Sequence, residues 1–298
     1  MANIGFIGLG HMGFPMAQNL LQAGHQVSAY DAQPAVLEKW ARLNGHAASN
    51  LQEAAQKKDL VITMLQTGEQ VLHVCQGEAG LFASAAKGTL FIDSSSIDSK
   101  AAQAFHLAAQ DHGLLSLDAP VSGGVSAATA GTLTFMVGGE ESTYQAALPF
   151  LSVMGKKIIH TGQAGSGQTA KICNNLILGI SMVALAEAFT LAEHAGLSAS
   201  KLFEVASHSS GQCWALNHYV PVPGILADVP ANNNYQPGFT SAMMLKDLKL
   251  SQKAAQHHET YTPLATKATA LYEELVNQGF GEADFSIIIK LIASHLEN

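Results

Sequence analysis

Residues 3–31 read NIGFIGLGHMGFPMAQNLLQAGHQVSAYD, and this stretch decides the fold. Asn3–Leu9 is a short apolar run, the pattern of a strand buried on both faces. Gly8, Gly10 and Gly13 follow in the spacing G-x-G-x-x-G. From Met12 to Ala23 the apolar residues Met16, Leu20 and Leu21 recur at helical spacing, and Gly24 supplies a stop. Gln26–Tyr30 is a second strand, closed by Asp31. Glycines therefore stand where a strand meets a helix, and an acid stands at the end of the next strand.

A glycine triplet alone marks little more than a turn. In the order strand, turn, helix, strand, acid it is the signature of a dinucleotide site. Gly8 makes the tight turn, Gly10 lets the backbone approach a pyrophosphate, and Gly13 lets the helix pack on the sheet. Leu9, His11 and Met12 complete the loop, and the helix N-terminus faces the anion. Asp31 stands roughly 20 residues further on, the usual distance. Its carboxylate suits the adenosine ribose hydroxyls and repels a 2′-phosphate. Neither Ala32 nor Gln33 offers a cation to hold such a phosphate. The expected cofactor is NAD rather than NADP.

The alternation continues. Ala35–Asn44, Leu51–Lys58, Thr67–Val74 and Asp98–Asp111 read as helices between the strands Ala47–Ala48, Leu60–Leu65, Thr89–Asp93 and Leu114–Asp118, with a short turn or helix at Gly80–Ala85. That pattern predicts an α/β domain with a parallel sheet covered on both faces. Ligands bind at the carboxyl ends of such strands, which brings Leu65–Gln66 and Ser94–Ser96 to the cofactor. Ala119–Gly139 is expected as a glycine- and serine-rich turn, a small-residue segment and the strand Thr132–Val137. In it, the exposed N–H groups and hydroxyl of Ser122, Gly123 and Gly124 suit a carboxylate. A helix at 142–155 and a strand at Lys157–His160 end a dinucleotide-binding Rossmann domain over residues 1–163.

Residues 165–196, GSGQTAKICNNLILGISMVALAEAFTLAEHAG, predict one long helix opened by Ser166 as its cap and stopped by Gly196. From Ile172 to Leu191 it is apolar on nearly every side. Such a helix is buried, here between two domains or two subunits. Lys171 and Asn175, four apart near its start, share one face. A lysine entering an apolar helix is costly unless a partner or a task holds it there. The bland alternative is a snorkelling lysine on an interface helix. The remainder is helical: Ser200–Ser207, Ser241–His257, Pro263–Gln278 and Asp284–Leu296, with an irregular stretch at Ser209–Gly224 carrying Trp214 and Tyr219 and a polar loop at Asn232–Phe239. Residues 164–298 thus form an all-α second domain that includes the interdomain helix, about 165–195.

Composition sets outer bounds. The 298 residues are 48% hydrophobic and only 13% charged, which fits extensive burial. The net charge of −8 and the lack of a basic run exclude nucleic acid as an expected partner. Cys75, Cys173 and Cys213 suggest neither a disulfide framework nor a metal site, and the thirteen histidines have no metal-ligand spacing. No signal segment is recognised, and polar residues interrupt the apolar helix, so a cytoplasmic protein without a membrane span is expected.

GLGHMG at 8–13, DAPVSGG at 118–124, GSGQTAKICNN at 165–175 and KDLKL at 246–250 together resemble the β-hydroxyacid dehydrogenase family over essentially the whole chain. The resemblance implies an NAD-dependent oxidoreductase acting on a small β-hydroxy acid. Lys171 matches the family's catalytic lysine and Asn175 the asparagine that positions substrate. Ser122, Gly123 and Gly124 match its carboxylate loop, and Lys246 a lysine serving cofactor and substrate. Leu65, Gln66, Gln70 and Ser96 fall where the family lines its cofactor site. Gln66 replaces the usual proline, and Ser96 a frequent threonine. SSGQCW at 209–214, PVPG at 221–224 and NNYQPGF at 233–239 narrow the resemblance to members acting on small 3-hydroxy acids, serine among them. A semialdehyde reductase and a catalytically silent binding module are the other readings. The resemblance further implies a homodimer or homotetramer built through the helical domain.

Overall fold

Strand residues in the first half of the chain are buried on both faces, which is why they read as apolar runs. The computed structural model describes residues 1–294. It divides into two compact units, one spanning Met1–Lys171 and one beginning at Ile172. The first is built on a nine-stranded sheet: β1 (Asn3–Ile7), β2 (Gln26–Tyr30), β3 (His46–Ala47), β4 (Leu60–Thr63), β5 (Leu90–Asp93), β6 (Leu115–Asp118), β7 (Val121–Ser122), β8 (Leu133–Gly138) and β9 (Gly155–Gly162). Because side chains alternate along a strand, each central strand feeds two cores. Leu60, Ile62, Leu90 and Ile92 join Leu20 and Trp40 on one face. Val61 and Phe91 join Phe82 and Phe105 on the other.

The order β3-β2-β1-β4-β5-β6-β8-β7, with β9 beside β8, puts β1 between β2 and β4. The chain therefore reverses direction across the sheet at β1, where open α/β sheets bind ligands. Pairing is parallel from β3 through β6. The expected parallel sheet runs that far; beyond it β8 is antiparallel to both β6 and β7 and parallel to β9. The cause is Ala119–Gly139, which is not merely a turn with a small-residue linker. It forms β7, a helix at Gly124–Ala130 and then β8. The small side chains of Ala127, Ala128 and Ala130 favour the helix, and Gly131, left-handed at φ 66°, ends it.

The long helix spans Ser166–His194. Within the single chain its apolar side chains divide into two sets. Met182, Ala186 and Phe189 are in the core of the second unit, but Ile177 and Leu191 are 63% and 71% exposed. The helix is long and apolar enough to cross a membrane, with a mean hydropathy of 1.7 over its most apolar window, and half of that window is buried within the chain.

The second unit is helical, as its periodicity predicts. Ala199–Ser207 and Ser241–His257 match their expected helices closely. Ser209–Gly224 is less irregular than expected, because Trp214–Tyr219 forms a helix in which Trp214 stacks on His218 and Tyr219. The helix from Pro263 is regular only to Leu275. A wide turn over Val276–Phe280 follows, where Gly279 takes φ 93°. The last predicted helix opens with a tight turn, Phe285–Ile287, and continues as Ile288–Ser294. Its expected end at Leu296 lies outside the described residues.

One buried carboxylate fastens these pieces. Asp284 accepts hydrogen bonds from the Tyr219 hydroxyl (2.8 Å), the Gly238 and Phe239 N–H groups (3.0 and 3.1 Å), and the Ser286 N–H and hydroxyl (3.0 and 2.7 Å). Tyr219 is thereby held to Asp284. Replacing Asp284 with Ala strands these donors in a dry interior. The expected cost is about 3–5 kcal/mol in denaturant unfolding. A loss below about 1 kcal/mol would show the donors finding water.

Candidate active site

The glycine loop is shaped by contact. The Gly8 N–H bonds the Tyr30 carbonyl at 2.9 Å. A Cβ on Gly13 would lie 1.9 Å from the Gly8 carbonyl oxygen, so any side chain there would push the helix off the loop. Gly10 differs: it is exposed, and a Cβ there would meet nothing within 4 Å. That open backbone at the start of the Gly13–Gln22 helix fits a diphosphate. Asp31 closes the loop from the side. It accepts from the Leu9 N–H at 2.7 Å and the Gln33 N–H at 2.8 Å, which orders its carboxylate and leaves further lone pairs for ribose hydroxyls. His11 is exposed and Met12 half-buried on the same loop.

The loops after β4 and β5 are joined by Ser95. The Leu65 N–H donates to Ser95 Oγ at 2.8 Å, and that hydroxyl donates to Asp93 Oδ1 at 2.6 Å. The Thr63 hydroxyl and the Ser95 N–H reach the same oxygen at 2.8 and 3.2 Å. Gln66 and Gln70 are exposed, and the Gln66 N–H bonds Gln70 Oε1 at 3.0 Å. Ser96 is half-buried at the centre of the 94–97 loop.

The start of the long helix is held by a residue that the sequence reading passed over. Asp118, fully buried at the end of β6, accepts from the Gly165 N–H at 2.7 Å and the Gln168 N–H at 2.8 Å. It therefore caps the helix in place of Ser166, whose hydroxyl pairs with that of Thr161 at 2.8 Å. His106 Nε2 lies 2.9 Å from the Asp118 carboxylate. Gly167 makes this approach possible: a Cβ there would lie 2.4 Å from the Met136 carbonyl oxygen. Gln168 is a second missed residue. Its side chain bonds the Ser95 carbonyl and the Ile97 N–H. Lys171, half-buried, follows one turn later.

Ser122, Gly123 and Gly124 enter the Gly124–Ala130 helix, with Gly123 at φ 132° and Gly124 at φ 69°. The first turn of a helix leaves its N–H groups without partners in the helix, so the local geometry suits a carboxylate. In the second unit, buried Asn175 donates through Nδ2 to Asp247 Oδ2, and Asn174 donates to Asn175 Oδ1 at 3.0 Å. Asp247 thereby fixes which way the Asn175 amide faces. Lys246, half-buried, is the residue before it on the Ser241–His257 helix. Among the described residues, no group of three or more His, Cys, Asp or Glu side chains is arranged to hold a metal ion.

Burial pushes the Asp93 carboxyl up to about 6, against the hydrogen bonds from Ser95 and Thr63. Its Oδ2 has no hydrogen-bond partner. A carboxyl whose folded value is raised above its ordinary one, 3.8, stabilises the fold fully below pH 4 and loses that contribution as pH rises through about 6. Asn at this position cannot titrate. Unfolding free energies of wild type and Asp93→Asn, measured from pH 4 to 7, should shift in favour of the variant by on the order of 2–3 kcal/mol. Parallel profiles would refute this.

A family model described as the NAD binding domain of 6-phosphogluconate dehydrogenase matches residues 3–162. A second, described as the NAD-binding of NADP-dependent 3-hydroxyisobutyrate dehydrogenase, matches residues 165–292. The chain is 44% identical over 291 residues to the NAD-dependent L-serine dehydrogenase of Pseudomonas aeruginosa, covering 98% of each chain. It is 41% identical over 289 residues to the mitochondrial 3-hydroxyisobutyrate dehydrogenase of Mus musculus, covering 97% of this chain and 86% of that one. A solved structure of Mycobacterium tuberculosis 3-hydroxyisobutyrate dehydrogenase with L-serine is 46% identical, with a TM-score of 0.94 and coverage of 98% and 99%. With both halves matched and the relatives aligned nearly end to end, the chain belongs to the 3-hydroxyisobutyrate dehydrogenase family of nicotinamide-dinucleotide oxidoreductases.

Proposed function

We propose that this enzyme oxidises 3-hydroxyisobutyrate to methylmalonate semialdehyde, a step of valine catabolism, with NAD as the preferred cofactor and Lys171 as the acid/base. The observation that carries the reading is the cap on the long helix. A buried carboxylate at the end of β6 fixes the turn before Lys171, at the sheet edge where this fold binds ligands.

The cofactor, bound along Gly8–Gly13, Asp31, Leu65, Gln66, Gln70 and Ser96, supplies the hydride acceptor. Ser122 and the N–H groups of Gly123 and Gly124 bind the substrate carboxylate, which orients the carbinol carbon. Lys171, as the neutral amine, takes the hydroxyl proton as the C–H bond is lost. In the reverse direction its ammonium protonates the carbonyl oxygen. Asn175, its amide set by Asp247, orients the substrate, and Lys246 adds to binding. The absence of a cation at Ala32 and Gln33 supports NAD over NADP. Serine is the second reading, favoured by 44% identity to an L-serine dehydrogenase.

Steady-state rates with 3-hydroxyisobutyrate and L-serine, each with NAD and NADP, test this. NAD-dependent turnover, fastest on 3-hydroxyisobutyrate, is expected. In Lys171→Met it should fall by at least 10³-fold while NADH binding persists. Preference for NADP overturns the assignment to Asp31, higher kcat/KM on L-serine overturns the substrate, and unimpaired Lys171→Met overturns the mechanism.

We also propose that a second copy of the chain covers the exposed apolar side chains of the long helix, giving a cytoplasmic homodimer or homotetramer. Ile177 and Leu191 support this, since apolar surface this open is costly in water. In light scattering, wild type should run as an oligomer and Leu191→Glu as a smaller species. A monomeric wild type refutes it.

A further inference from the structure

Gln168 carries no charge and reacts with nothing, yet it is completely buried and both ends of its amide are engaged. Oε1 accepts the Ile97 N–H at 3.1 Å, and Nε2 donates to the Ser95 carbonyl at 2.7 Å. The partners fix its orientation, since a backbone N–H can only donate and a carbonyl can only accept. Its own N–H is spent on Asp118 at 2.8 Å. Ser95 carries the connection further, through its hydroxyl, to the Leu65 N–H and Asp93. A continuous set of hydrogen bonds thus runs from the loop after β4, through the loop after β5, to the first turn of the long helix. All of it lies inside the first unit.

Each end of that chain bears groups assigned above to the reaction. Leu65, Gln66 and Ser96 belong to the cofactor loops. Lys171 stands three residues after Gln168, on the same side of the helix. We propose that Gln168 is a positioning residue: its amide fixes the turn bearing Lys171 against the 65–66 and 94–97 loops, and so sets the distance between the proton acceptor and the bound cofactor. This rests on the dehydrogenase reading. The cap by Asp118 holds the helix end through the main-chain N–H groups of Gly165 and Gln168 and would survive a change of side chain at 168. The side-chain amide, bound at two points on the 94–97 loop, is what ties that end to the loop. Both of its bonds go to that loop, and the Ser95 hydroxyl passes the restraint on to the Leu65 N–H.

The test compares wild type with Gln168→Met, of similar length but without either hydrogen bond, and with Gln168→Glu, which keeps the acceptor for Ile97 but turns a second oxygen toward the Ser95 carbonyl. For each, NADH-binding sites are titrated by fluorescence. Then kcat per binding site, KM and the isotope effect from substrate deuterated at the carbinol carbon are measured. A misplacement near 1 Å is enough for a loss of about 100-fold. The expected result is a 10- to 100-fold fall in kcat per site in both variants, KM within about threefold of wild type, and an isotope effect above that of wild type, because hydride transfer becomes limiting. Lower thermal stability with unchanged kcat per site and unchanged isotope effect would overturn the proposal and leave Gln168 a packing residue. If Gln168→Met does not fold, Gln168→Glu decides by the same criteria. A wild type inactive on every β-hydroxy acid would instead sink the dehydrogenase reading, and this inference with it.

Discussion

The Asp118 carboxylate is the constraint on which the start of the long helix depends. A charge in a fully buried position is tolerable only when donors surround it. Here the donors are the Gly165 and Gln168 N–H groups, with His106 beside them. The helix they begin is 29 residues long, and its N-terminal partial charge adds a favourable field of about 0.3–2 kcal/mol. Two glycines make the approach possible. A Cβ on Gly138 would lie 2.5 Å from Asp118 Oδ1, and one on Gly167 2.6 Å from the Asp118 carbonyl oxygen. Glycine here is a matter of space: the strand end and the helix end meet backbone to backbone.

This explains what was legible in the sequence and what was not. The β1–loop–helix–β2 unit and the long helix are signalled by near neighbours, by apolar periodicity and glycine stops, and the structure follows them within a few residues. The cap was not legible, because Asp118 lies 47 positions from Gly165 and a nearer candidate, Ser166, offered itself. Gln168 gave no local signal either: a glutamine in the first turn of a helix is ordinary until its side chain is found buried. The antiparallel β7–β8 pair was hidden by composition. Small residues between Ala119 and Gly139 permit a loop, a helix or a strand, and only the packing of Val121 and Leu133 into the sheet's core selects among them. The family was legible for the opposite reason. Four ordered motifs are local strings, and the matched relatives carry the same architecture end to end.

Asp93 and Asp118 show how position alone gives the same side chain different work. Both end neighbouring parallel strands, paired with each other in register, and both are fully buried. Asp118 uses both oxygens on backbone donors and becomes an anchor. Asp93 gathers Thr63 and Ser95 onto one oxygen and leaves the other without a partner, so its charged form is the poorer fit and its proton is held more tightly. That loss is offset by order: the same oxygen holds Ser95, and Ser95 holds Leu65.

The long helix divides its length between two physical regimes. Its first turn is governed by directional bonds, where an error of an ångström breaks a hydrogen bond. Its later turns are governed by burial, which is non-directional and tolerates sliding. Orientation needs the first kind of restraint and a packing spine needs only the second. Gln168, Lys171, Asn174 and Asn175 stand in the first turns of the helix, and the apolar run Leu176–Ile180 follows them. An Ile or Leu in the first turn would add burial but no orientation. A lysine at the level of Met182 or Ala186, both fully buried, would strand a charge in the core of the second unit. The order of residue types along the helix is thus the order in which geometry gives way to packing.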